Sequence, residues 1–222
     1  MNDTWSATDN PLHYQNHLRF PRDLEHAFRE DYASRAIMAQ RQFIAFGFAV
    51  YGLFSILDYF AMPQTHQAAW LLRALAEPFA IVLFVASFNR FFQLGMCWLI
   101  NLWMLIMNFT ILGMITMSQP GELAFTFYPI GLMLVLISGY VSSGHLWYSS
   151  FQGWLAIAGY LFVGIVHQQM LTSWQTTLQF FTINFFLVGL NIIGMMLGYG
   201  LERINRLAFL QRLVIERQQK ET

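Results

Sequence analysis

TTLQFFTINFFLVGLNIIGMMLGYG, residues 176–200, runs 25 positions without a charged side chain. A helix needs about 20 apolar residues to cross a hydrocarbon core of ~30 Å, so this stretch is long enough to span a membrane. It shows no alternation of apolar and polar residues, which sets aside a β-barrel strand. The chain then turns charged, LERINRLAFLQRLVIERQQKET over 201–222, with no glycine or proline to stop the helix. One rod is therefore expected to leave the membrane and continue for about 30 Å at ~1.5 Å per residue.

Working back from that rod, five more apolar stretches read as spans: 43–61, 69–88, 95–117, 123–141 and 147–166. The expectation is an all-α integral membrane protein, a six-helix transmembrane bundle. Composition agrees, with 56% hydrophobic and 11% charged residues and a mean hydropathy of +0.45. Soluble domains carry about 25% charged residues. These figures exclude disorder and binding of nucleic acid through bulk charge, and with Cys97 the only cysteine they exclude a disulfide scaffold. No cleaved leader is expected, because the chain opens with about forty polar residues.

Net charge is zero, yet 11 of the 12 Lys and Arg lie before the first span, after the sixth, or (Arg90) in the second connection. The positive-inside rule then puts both termini in the cytoplasm. Connections 62–68, 89–94, 118–122, 142–146 and 167–175 are too short to hold an extra-membrane domain. Three segments follow: 1–42 with a juxtamembrane amphipathic helix, the 43–200 bundle, and 201–222 as a signalling helix leading to an output domain outside this chain. On the first, Leu24, Phe28, Tyr32 and Arg35 share a face, which rests on the membrane surface or packs on a partner chain.

Ionisable groups inside spans cost about 2.5–3.5 kcal/mol each and so need partners. Asp58 and Arg73 sit one turn from the outer ends of the first two spans, and the short hairpin predicts a salt bridge between them. Glu77, four residues after Arg73, is expected to complete a triad, which is either a structural staple or a ligand and proton site. Asn101 and Asn108 stand seven apart, as do Asn184 and Asn191, and Glu77, Asn108 and Asn184 fall at similar depth. They form an outward-facing pocket or serve as hydrogen-bonding glue between helices. Gly194 and Gly198 offer a small-xxx-small seam for bundle packing or for a dimer, extended on the rod by Leu207, Leu210 and Val214 at heptad spacing.

Metals are weakly served. His66 and His167 in outer connections are the one candidate pair, while His13, His17, His26 and His145 lie on the basic side. No two histidines share a depth within the bundle, so haem is not expected. Met104, Met107, Met114 and Met117 line one face of the third span and read as packing rather than a Cu(I) site.

Two stretches carry a resemblance. Asp23-Leu-Glu25, Phe28-Arg29 and Asp31-Tyr32 lead into Arg41, Gly47, Tyr51, Phe54 and Leu57-Asp58, and the exit holds Glu202, Arg203, Arg206, Phe209-Leu210 and Glu216. Together they resemble the MASE-type six-helix membrane sensors that precede bacterial diguanylate or adenylate cyclase domains. The resemblance implies a homodimer, signalling through paired exit helices, and a nucleotide cyclase as output, with GTP and Mg²⁺ belonging to that domain. The 222 residues depart from the full pattern, for they hold no Gly-Gly-Asp/Glu-Glu-Phe signature. No enzymatic activity is expected of this chain itself. The expected role is sensing a small apolar or amphiphilic ligand in the bundle. A histidine kinase output, a small transporter or channel, and a passive dimerising anchor are the alternatives.

Overall fold

The computed structural model describes residues 14, 19–118, 124–142 and 144–221. Seven α-helices make up the fold: α1 (Arg22–Ala61), α2 (His66–Ala86), the single turn α3 (Arg90–Gln93), α4 (Met96–Met117), α5 (Ala124–Ser142), α6 (Leu146–Phe162) and α7 (Trp174–Glu221). A π-helical turn, Val163–His167, closes α6, and no strand occurs among the described residues. All except α3 are long and apolar enough to cross a membrane, as the six apolar runs require. His13, His17 and Glu122 lie outside the described residues.

Long runs of apolar residues without breakers explain the lengths. Pro21 precedes the first turn of α1, where Asp23 and Glu25 complement the helix dipole. Pro78 and Pro129 sit inside α2 and α5, which continue through them. α7 runs its 48 residues without interruption, so the last span and the rod are one element.

α4 is the hub. It packs on α2, α5 and α6, α1 packs on α2, and α7 packs on α5 and α6. Within the apolar window of each helix, 56% of α4 is buried against 17% of α1. One core cluster joins α1, α2 and α4 around Ile44, Tyr51, Ile100 and Trp103, and Gly47 has no side chain because the Trp103 ring occupies that space at 2.7 Å. A second joins α4, α5, α6 and α7 around Ile115, Leu132, Tyr160 and Leu187. Met104, Met107 and Met114 are buried in this packing, and Met117 is exposed. Large exposed side chains such as Phe46, Leu75, Phe151 and Phe185 cover the outside, as a lipid-facing surface demands.

The first helix and the last meet. Phe28 and Phe209 pack edge to face at 5.5 Å, with Phe20, Leu24 and Leu210 completing a third core cluster. The amphipathic face of α1 thus rests on this chain's own rod, which is neither of the two supports the sequence suggested. The start of α1 and the end of α7 therefore lie at the same end of the bundle, called the basic end below.

Candidate functional site

At the far end, Arg73 grips Asp58 with both arms of its guanidinium. Nε donates to Oδ2 at 2.6 Å and Nη2 to Oδ1 at 2.9 Å. Nη1 donates to the Tyr51 carbonyl at 3.2 Å, and the Tyr128 hydroxyl donates to Asp58 at 2.9 Å. The Tyr51 ring lies 4.4 Å from the guanidinium, and its hydroxyl pairs with Thr110 at 2.6 Å. Asp58 is fully buried and Arg73 nearly so. Buried and bonded across the two helices, the pair works as a staple on the α1–α2 hairpin.

Glu77 does not join it. Its Oε1 is buried without a hydrogen-bond partner, 3.1 Å from the position a Cβ would take on Gly52, and no ion pair to Arg73 forms. The expected triad is a pair: Arg73 turns toward α1, where it bonds Asp58 and the Tyr51 carbonyl, and Glu77 sits one turn deeper.

The asparagines do not share a pocket with it either. Both amide atoms of Asn108 are buried within the bundle without partners. Asn184 donates to the Phe180 carbonyl of its own helix at 2.8 Å and opens onto a groove lined only by α7 residues, among them Phe181, Phe185 and Gly189. Equal depth did not mean equal azimuth. Asn101 donates to the Cys97 carbonyl at 2.8 Å, and Asn191 accepts from the Tyr140 hydroxyl at 2.7 Å. Around that last bond lies a polar cluster which the spacing of asparagines did not reveal. Ser149 donates to the Gly139 carbonyl at 3.0 Å, and Gln152 is buried against Gly139.

Gly194 and Gly198 face inward. A Cβ on Gly194 would overlap the Tyr140 ring, and one on Gly198 would lie 3.1 Å from that ring and 3.3 Å from Leu146. Both glycines serve packing within the bundle, against Tyr140 and Leu146. Leu210 is likewise buried, against the aromatic residues of α1, while Leu207 and Val214 remain half-exposed. His66 is held between the Tyr59 and Trp70 rings with Nδ1 at 3.0 Å from the Pro63 oxygen, and His167 lies at the end of α6. No group of three metal-ligating side chains exists among the described residues.

The basic end holds the other buried arginine. Arg206 on α7 donates to both oxygens of Glu25, at 2.8 and 3.2 Å, across 181 residues of sequence. It also donates twice to Glu202 Oε1, at 3.1 and 2.9 Å, and its guanidinium lies 4.9 and 4.6 Å from the Phe20 and Phe28 rings. Glu202 Oε2 accepts the Leu146 amide at 3.1 Å, so it caps the first turn of α6. Glu25 accepts the Phe20 amide at 3.3 Å, and His145 lies 4.0 Å from Glu202. One arginine thus ties α1, the start of α6 and the rod into a single node.

The node's titrating groups are shifted accordingly. Burial raises the pKa of Glu25, but the hydrogen bonds and charge of Arg206 outweigh it and hold the carboxyl below its ordinary value. Burial pushes the His145 imidazole down, against the pull of Glu202. The i,i+4 spacing of Glu202 and Arg206 was visible in the sequence, but nothing in it pointed to Glu25 as the third member.

No protein-family model matches the chain, and comparison with curated proteins and with solved structures gives no match in either.

Proposed function

We propose that the chain is a membrane-embedded regulatory module of a bacterial signalling protein. It converts a change in helix packing within the inner membrane into movement of the α7 rod, with both termini in the cytoplasm. The observation that carries this reading is the Glu25–Arg206–Glu202–Leu146 node, since it couples the bundle to the α7 rod. Any event that displaces α5 and α6 relative to α7, such as an apolar or amphiphilic molecule lodging among the helices, pulls on Glu202 and through it on Arg206. The resemblance of the entry and exit sequences favours a diguanylate cyclase as the output.

A homodimer completes the reading, on a seam different from the one the glycines suggested. Phe186, Ile193, Leu197, Ile204, Leu207 and Val214 stand at intervals of 7, 4, 7, 3 and 7 residues, a heptad frame along one face of α7. None of these six is buried; Ile193 is 57% and Ile204 63% exposed. Ile204, Leu207 and Val214 lie on the rod beyond the span, where no lipid covers them. A parallel, two-fold pairing of rods buries them at heptad positions.

The test is the full chain fused to a diguanylate cyclase catalytic domain, with cellular cyclic di-GMP as readout. Arg206→Ala is expected to change output at least fivefold at equal membrane abundance, and unchanged output would defeat the relay. Single cysteines in a Cys97→Ser background are expected to cross-link at Ile193 and Ile204. Cross-linking at Gly194 and Leu210 instead would overturn the seam.

A further inference from the structure

Beside the crossing of α1 and α7 lies a crevice of about 290 Å³, lined by Tyr32, Arg35, Ala36 and Ala39 of α1 and by Ala208 and Arg212 of α7 among others. That volume lies at the small end of ligand pockets, roughly 300–1,000 Å³. Its walls are unusual in one respect: two guanidinium groups from different helices converge on one carboxylate oxygen. Arg35 and Arg212 both pair with Asp31 Oδ2, Arg212 at 3.3 Å. Arg35 spends a further donor on the Asp31 carbonyl at 3.3 Å. Each guanidinium carries five N–H donors, so Asp31 leaves most of them unused. Arg212 Nε is buried and has no partner. The Arg35 and Arg212 side chains are 39% and 41% exposed, and an anion seated in the crevice would give Arg212 Nε an acceptor.

The chemistry selects the anion. Two planar guanidinium forks from different helices match the several oxygens of a phosphate better than the two of a carboxylate. Small side chains at Ala36, Ala39 and Ala208 line the crevice beside them. Glu216 also acts on Arg212, so bulk charge is nearly balanced and donor geometry decides what binds. Ala39 precedes the first span by four residues, about 6 Å of helix, which opens the crevice at headgroup depth.

We propose that this crevice binds a phosphate group, carried by an anionic phospholipid headgroup or by a small soluble phosphate, and that the occupant pins α1 to α7. The binding itself stands apart from the relay reading; only its effect on output rests on that reading.

Purified full-length chain in nanodiscs of phosphatidylcholine alone, or with phosphatidylglycerol, supplies the lipid arm. Inorganic phosphate and glycerol 3-phosphate added to the phosphatidylcholine discs supply the soluble arm. Native mass spectrometry reads retained phosphate species, and thermal unfolding reads protection. Retention of phosphatidylglycerol, or protection by soluble phosphate, is the expected result and identifies the source. Arg35→Gln and Arg212→Gln are each expected to weaken binding at least tenfold. Ala208→Phe, which fills the crevice and keeps both arginines, is expected to abolish it, whereas Arg90→Gln leaves it unchanged. Binding on neither arm, or binding indifferent to Arg212→Gln and Ala208→Phe, overturns the site. Loss of phosphate binding with normal cyclase output in the fusion would break the link to signalling while leaving the site standing.

Discussion

Two arginines, Arg73 and Arg206, make nearly the same local arrangement at opposite ends of the molecule. Each forks onto a carboxylate beside aromatic rings, and each is about 5% exposed. Their partners differ. Arg73 holds Asp58, 15 residues away on the neighbouring helix of a hairpin. Arg206 holds Glu25 across 181 residues and shares itself with Glu202, which in turn caps α6. The first pair ties the two helices of one hairpin, with Tyr128 of α5 hydrogen-bonded to Asp58 as a further contact. The second joins the first and last helices to the start of α6, and can pass displacement from one to the next.

The largest effect is expected at the staple. Arg73→Met strands a buried Asp58 carboxylate, and breaking one partner of such a pair costs about 3–5 kcal/mol. Thermal unfolding in detergent should show that loss. The double variant Asp58→Asn with Arg73→Met should regain most of it, because both charges are gone. If Arg73→Met melts like the wild type, the staple is not the hairpin's anchor and the contrast between the two arginines fails.

The staple was legible in the sequence because a short connection forces the ends of two spans level, and charged groups at one level inside lipid must meet. Depth alone, however, does not fix azimuth. Arg73 turns away from Glu77, and Asn184 opens onto a groove of its own helix. Gly194 and Gly198 illustrate the same limit. Their spacing marked a close approach, but which neighbour approached depended on where α5 docks, and that is decided by Tyr140. The six spans needed only local hydrophobicity and were fully legible. The node needed a contact between the two ends of the chain, which no local pattern encodes.

Glycines on α7 test that lesson at intermediate strength. Gly194→Ala drives a methyl into the Tyr140 ring and should cost about 1–3 kcal/mol, the usual range for overpacking. Gly200 has nothing within 4 Å of its would-be Cβ, so Gly200→Ala should instead stabilise the helix by up to about 1 kcal/mol. Equal effects at the two sites would mean that α7 docks through a different face.

Acid should separate the two ends of the molecule. Glu25 and His145 both have pKa values below their ordinary 4.5 and 6.5. In each case the unfolded chain binds protons more readily than the folded one, so stability rises with pH through that window. The contribution is complete above about 6.5, weakens as His145 is forced to charge beside Arg29 and Arg206, and falls further as Glu25 protonates below 4.5. Hydrogen exchange over the first turns of α1, corrected for intrinsic rates, should quicken several-fold between pH 7 and 5. The α1–α2 hairpin should hold its protection over the same range. Uniform loosening of both ends would erase the distinction between them.

The smallest effect sharpens the boundary of the staple. Glu77 is one turn from Arg73, and a triad would make Glu77→Gln nearly as damaging as loss of Asp58. In the observed geometry Glu77 makes no ion pair, and its buried oxygen is already without a partner. Glutamine keeps the shape and leaves the Asp58–Arg73 fork intact, so the change in unfolding free energy should stay within about 0.5 kcal/mol, as for substitutions that break no specific interaction. A loss of several kcal/mol would show that Arg73 depends on a second carboxylate after all. The Asp58–Arg73 pair would then be one part of a wider network, and the two arginines would be alike in kind.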